Sequence, residues 1–146
     1  MKPKVYLDNC SIQRPLDSKT QIRIALESEA VLGILSLVEA NKIELFSSTI
    51  LEFEINRNSN QIRKEYALEV LSKAKGFVDV NPKIEKRSSE FGAFGIFALD
   101  AVHLACAEEA RVDYFCTCDD DLLKRAKRIQ DLKVKVVSPL DLVKEI

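Results

Sequence analysis

The chain has 146 residues, a length that suits one domain burying about 68–70% of its unfolded surface and leaves no room for a second. Its 22 Lys plus Arg balance 23 Asp plus Glu, so the whole-chain charge steers no polyanion and any affinity for nucleic acid must come from local basic patches. No apolar run approaches the roughly 20 residues that cross a bilayer, which excludes a membrane span. Four cysteines, with no secretory leader ahead of the first strand-like segment, point to a reducing cytoplasm.

Apolar periodicity alternates short runs with longer helical ones. Residues 5–7 read as a strand stub, and residues 22–40 carry apolar side chains at three and four spacing, the mark of a long helix. Residues 43–46 form a second strand, after which Ser48 can cap a helix reaching Arg57, because a short hydroxyl satisfies the free amides of a first turn. A helix over 61–75 leads to a third strand over 77–80. Asn81-Pro82 then breaks the strand ahead of a helix over 83–91. Residues 92–95, with two glycines, read as a loop, and 98–110 as helix. A fourth strand covers 114–117, a helix 120–129, and a fifth strand 134–137, with Pro139 opening a closing helix. The stretch from Ser11 to Thr20 carries no assignable pattern. Alternation of this kind predicts an α/β fold of three layers, a Rossmann-like domain over residues 1–146 whose mostly parallel sheet of four to five strands has helices on both faces.

Five carboxylates fall where these strands hand over to loops or helices: Asp8, Glu54, Asp100, Asp119 and Asp121. A parallel sheet gathers the carboxyl ends of its strands at one edge, where open α/β proteins place their ligands. Acids converging there repel one another unless a cation lies between them, and hard divalent ions with oxygen ligands are the usual occupants. Asp8 directly follows the first strand, a place that a turn or cap residue also takes. On the helix after Ser48, Glu54 shares a face with Ile50, Leu51 and Ile55, whereas Glu52 lies with Ser48, Thr49 and Asn56. A carboxylate beside aliphatic side chains needs compensation, so Glu54 is the better ligand candidate and Glu52 the alternative.

Asp100 opens a helix that is otherwise small and apolar, and the helix dipole alone would favour an acid there. His103, the only histidine, shares its face and suits a supporting hydrogen bond better than direct catalysis. Cys118-Asp119-Asp120-Asp121 places three successive acids at a strand-to-helix junction, more than capping requires. Asp119 and Asp121 can face one crevice with Asp120 turned outward.

Leu7-Asp8-Asn9, the spacing from Ser48 to Glu54, Asp100-Ala101-Val102-His103-Leu104-Ala105 and Thr117-Cys118-Asp119-Asp120-Asp121 together resemble the successive acidic motifs of PIN-domain ribonucleases, a group that includes VapC-like toxins. The resemblance keeps order and approximate spacing over nearly the whole chain. It implies a PIN fold in which Asp8, Glu54, Asp100 and Asp119 hold Mg²⁺ or Mn²⁺, with Asp121 an auxiliary acid. Thr117 resembles the family's hydroxyl residue at the strand end, and Asn9 its small polar residue after the first acid. It further implies hydrolysis of single-stranded RNA leaving a 5′ phosphate, a small antitoxin as partner, and pairing as a homodimer. Ions so placed would activate water and stabilise the leaving oxygen, so no covalent nucleophile is needed. Arg14, Arg57, Arg63 and Lys124 are the candidate contacts to the RNA backbone, although Lys124-Arg125-Ala126-Lys127-Arg128 also reads as a solvated helix face.

Other chemistries fit less well. Asp8-Asn9-Cys10-Ser11 stands where a dinucleotide-binding domain has its glycines. A phosphatase with an aspartyl nucleophile has a second Asp where Cys10 stands. The spacing of Cys116 and Cys118 misses that of a zinc site, so the cysteines read as free, buried thiols. A non-catalytic PIN-like module binding RNA or a protein, and a housekeeping RNA-processing nuclease, are the alternatives to a toxin. A buried anionic cluster would serve no purpose in a pure scaffold.

Overall fold

The computed structural model describes residues 1–146. Its centre is a five-stranded parallel sheet in the order β3-β2-β1-β4-β5. The strands are β1 (Lys4–Leu7), β2 (Glu44–Ser48), β3 (Gly76–Val78), β4 (Tyr114–Cys116) and β5 (Lys135–Val137). Eight helices connect and cover them: α1 (Asn9–Gln13), α2 (Ile22–Glu39), α3 (Thr49–Asn56), α4 (Gln61–Leu71), α5 (Pro82–Glu90), α6 (Ala98–Glu109), α7 (Asp120–Ala126) and α8 (Pro139–Glu145). No helix is long and apolar enough to cross a membrane.

Strand β1 is the middle of the sheet, and Val5, Tyr6 and Leu7 are fully buried. Parallel strands covered on both faces read as continuous apolar runs, as Val5-Tyr6-Leu7 does. The chain steps from β1 to β2 and β3 on one side, then returns to lay β4 and β5 on the other. Right-handed crossovers that run first one way and then the other place helices on both faces. The reversal also leaves a crevice between the carboxyl ends of β1 and β4, the switch point at which such sheets bind ligands. Leu7 pairs with Cys116 there, so the segments that follow both strands emerge side by side.

Most predicted elements are present with shifted ends. Ser48 caps α3 by accepting from the Leu51 amide at 3.1 Å, and Pro139 opens α8 behind a Ser138 cap. Strand β2 runs on to Ser48 because Ser47 and Ser48 pair with Phe77 and Val78. Helix α4 stops at Leu71, short of residue 75, because the Lys75 amide turns to the Leu45 carbonyl and starts the pairing of β3. The glycine-containing stretch after α5 is a 3-10 turn, Phe91–Phe94, ending at Gly95. Between Ser11 and Thr20 the structure places the end of α1 and a second 3-10 turn, Arg14–Leu16. Three cysteines are buried, but Cys10 is exposed.

Candidate functional site

Each acid reaches the switch-point crevice from a different element. Asp8 is the N-cap of α1: its Oδ1 accepts from the Ser11 amide at 3.0 Å while its own amide donates to the Cys116 carbonyl at 3.1 Å. The cap fixes the carboxylate at the mouth of β1, where it is only 6% exposed. The Cys10 thiol donates to its two oxygens, at 3.1 and 3.2 Å. Burial raises the pKa of Asp8, against the opposing effect of hydrogen bonds from Thr117, Cys10 and Ser11.

Across the crevice, β4 is followed by the buried Thr117, whose Oγ1 accepts from the Asp119 amide at 3.1 Å. Asp119 in turn caps α7, its Oδ1 accepting from the Asp121 and Leu122 amides at 2.9 and 3.2 Å. One oxygen is spent on the cap, leaving the rest of the carboxylate free for the crevice. Asp120 turns away to a two-bond pairing with Arg23, both contacts at 2.6 Å. Asp121 is exposed in the first turn of α7 and does not line the crevice.

Asp100 enters from the first turn of α6. The chain reaches it through two residues with positive φ, Gly95 at +79° and Ala98 at +52°. Arg125 and Arg128 of the chain's basic run hold this turn by donating to the Gly95 and Phe94 carbonyls at 2.9 and 3.0 Å. Although Asp100 is exposed as a residue, desolvation raises its pKa. The charges of Asp119, Asp8 and Glu54 raise it further, and His103 opposes them. Mutual repulsion between acids far apart in sequence is thus already felt by one of them.

Glu54 lies on α3 with its side chain 29% exposed, and its Oε1 is 2.8 Å from His103 Nε2. Glu52 is exposed and faces elsewhere. His103 is 2% exposed, and its Nδ1 is 2.7 Å from the hydroxyl of Tyr6, which is 2.7 Å from Ser48 Oγ. A buried chain of hydrogen bonds therefore joins the α3 cap to the α3 acid through β1 and α6.

Asp8, Glu54, Asp100 and Asp119 all line one open pocket of about 190 Å³. Asn9, Arg14, His103, Cys10 and Cys118 complete its wall. No three His, Cys, Asp or Glu side chains stand close enough together to hold an ion, so the acids ring the pocket without meeting at a point. Arg14 does not neutralise them, because its guanidinium is engaged by Asp17 at 2.9 Å and by the buried Glu27 at 3.1 Å. The donor set is all oxygen, one carboxylate is buried without a cationic partner, and another is raised in pKa by its neighbours. Those are features that a hard divalent ion would relieve.

The other basic residues differ in availability. Arg57 lies along a shallow groove beside the pocket that Asn9, Glu54, Asn58 and Leu99 share, with its guanidinium over the Phe53 ring at 5.3 Å. Arg63 is held by Asp17 at 3.0 Å and by the Leu16 carbonyl at 3.0 Å, which makes it a tie between α4 and the Arg14–Leu16 turn. Lys124 is exposed on α7, outside the pocket. A larger cleft of about 1110 Å³ lies at the amino ends of β4 and β5, walled by charges of both signs such as the Arg87–Glu108 pair. None of the sequence-derived candidates borders it. Two neighbours of the site went unread in the sequence, Tyr6 and the Cys10/Cys118 pair. The available signals were a polar tip in the central strand and a thiol shortly after the end of each of two strands, three residues past Leu7 and two past Cys116.

No protein-family model matches the chain, and no curated protein matches it. Among solved structures it is similar to a chain of VapBC2 from Rickettsia felis, crystallised bound to a DNA fragment from their promoter. The two share 14% identity at a TM-score of 0.58, over 92% of this chain and 98% of the other. At that identity the likeness shows the fold.

Proposed function

We propose that the protein is a divalent-metal-dependent endoribonuclease of the PIN type, cutting single-stranded RNA by phosphodiester hydrolysis. The observation that carries this reading is the gathering of four carboxylates, from β1, α3, α6 and the β4–α7 junction, around one pocket that no free cation neutralises. The motif order and the likeness of fold to VapBC2 support it.

Asp8, Glu54, Asp100 and Asp119 are the residues that would hold Mg²⁺ or Mn²⁺. A metal bound there supplies an activated water, charge neutralisation at the scissile phosphate and a sink for the leaving 3′ oxygen. The chain's own residues do the rest. His103 orients Glu54, Thr117 and Ser11 set the angles of Asp119 and Asp8, and Arg57 stands beside the pocket where an RNA phosphate approaching it would pass. Asp121 lies on the first turn of α7, outside the lining of the pocket, where it would serve as an auxiliary acid.

The solved neighbour's name joins VapB to VapC, and it supports a toxin role for this chain with a small antitoxin as partner. Such a partner would cover the acidic pocket, and a homodimer would present two pockets. Incubating the pure protein with unstructured and structured RNAs in Mg²⁺ or Mn²⁺, then in EDTA, tests the activity. The expected result is cleavage of unstructured RNA with 5′-phosphate ends, stopped by EDTA and restored by excess metal. RNA binding with no cleavage under any metal would replace the enzyme by a binding module.

A further inference from the structure

Two thiols share the wall of the acidic pocket. Leu7 of β1 and Cys116 of β4 are paired in the sheet, so Cys10 and Cys118 leave the same end of two adjacent parallel strands. The Cys118 amide donates to Cys10 Sγ at 3.4 Å, which sets the Cys10 sulfur against the Cys118 backbone. Cys10 is exposed to solvent and Cys118 lies buried behind it. Cys106 and Cys116 are fully buried. The exposed thiol therefore has a resolving partner at hand.

We propose that Cys10 and Cys118 form a reversible disulfide when the protein meets a peroxide, and that this bond takes a hydrogen-bond donor away from Asp8 in the acidic pocket. Attack by the Cys10 sulfur breaks the peroxide O–O bond, giving a sulfenic acid and one water. Attack by Cys118 then forms the S–S bond and breaks the S–O bond, and the departing hydroxide leaves as a second water with the remaining thiol proton. Two thiols are oxidised by two electrons, the peroxide is reduced to two waters, and a dithiol reverses the reaction by exchange. The consequence for the pocket follows from Asp8. The Cys10 thiol now donates to both Asp8 oxygens, whereas a disulfide has no hydrogen to give. Its formation also draws the Cys10 sulfur toward Cys118, so the buried carboxylate loses a donor.

The disulfide itself does not depend on the nuclease reading; the loss of activity does. Pure protein is treated with hydrogen peroxide, free thiols are counted with a chromogenic disulfide, intact mass is measured and peptides are mapped. The same samples are assayed for RNA cleavage. Free thiols should fall from four to two, with a Cys10–Cys118 linked peptide and a mass loss of two hydrogens. Cleavage should fall by about tenfold or more, the usual effect of disturbing a group that supports a ligand, and dithiothreitol should restore both. In Cys118→Ser the linked peptide should vanish and oxidation at Cys10 should stop at oxygen adducts. Four thiols surviving peroxide, or a link between other cysteines or between chains, would overturn the site. A clean Cys10–Cys118 link with cleavage unchanged would overturn its effect on the pocket. Should neither form cleave RNA, the nuclease reading fails and the disulfide stands.

Discussion

His103 Nε2 lies 2.8 Å from Glu54 Oε1, joining α6 to α3 through a buried ring. One assignment of hydrogens satisfies every atom behind it. The Leu51 amide donates to Ser48 Oγ, Ser48 donates to Tyr6, Tyr6 donates to His103 Nδ1, and Nε2–H donates to Glu54. Burial pushes the Tyr6 phenol well above its ordinary pKa, which keeps it a donor. Tyr6→Phe should therefore orphan two buried partners and cost about 1–3 kcal/mol in urea unfolding. It should also lower cleavage, with Glu54 free to rotate. Unchanged stability would show that the chain is not formed.

Glu54 and Glu52 separate by face. Ion binding to the folded state stabilises by mass action, about 2.7 kcal/mol at a hundred times Kd, so Mn²⁺ should raise the melting temperature of the wild type and of Glu52→Gln alike. Glu54→Gln should lose most of that rise. The reverse ranking would place the wrong acid in the pocket.

Asp8 carries a stability cost. Its folded pKa is raised, so between the unfolded and folded values the native state binds more protons and stability falls as pH rises through that window. Without divalent ions the protein should therefore gain stability as pH drops from neutral toward the unfolded carboxylate value. Asp8→Asn should flatten that slope and, at neutral pH in EDTA, stabilise by about 0.5–2 kcal/mol, as relief of a functional site commonly does. Thermal melts across pH read both effects.

The turn before Asp100 depends on Gly95, whose φ of +79° an alanine adopts only with strain. A Cβ there would come only into ordinary van der Waals contact with the Arg125 side chain, at 3.4 Å, so the cost lies in the backbone. Gly95→Ala should cost about 1–2 kcal/mol and weaken Mn²⁺ binding by shifting the start of α6. A melt and a Mn²⁺ titration of the variant test the two together.

Element order, and the face that brings Glu54 rather than Glu52 to the pocket wall, were legible because they rest on local signals: apolar period, the Ser48 and Pro139 caps, and the apolar face that Glu54 shares with Leu51 and Ile55. Helix α1 was not, since five residues are too few to show a period and Asp8 reads equally as a turn. Arg63 looked available for RNA because its partner Asp17 lies in the stretch with no pattern. That Asp121 stands outside the pocket lining was not legible, because sequence spacing does not say which way a first-turn side chain points. The disposition of Cys10 and Cys118 depends on the pairing of β1 with β4, which only the topology supplies.

The most direct measurement is RNA cleavage by Asp8→Asn and Asp100→Asn beside the wild type, in Mn²⁺, with circular dichroism confirming that each variant is folded. If the four carboxylates form one divalent site, both variants lose cleavage by about a hundredfold or more, in keeping with loss of transition-state stabilisation of several kcal/mol. Folded variants that cleave at the wild-type rate would contradict it.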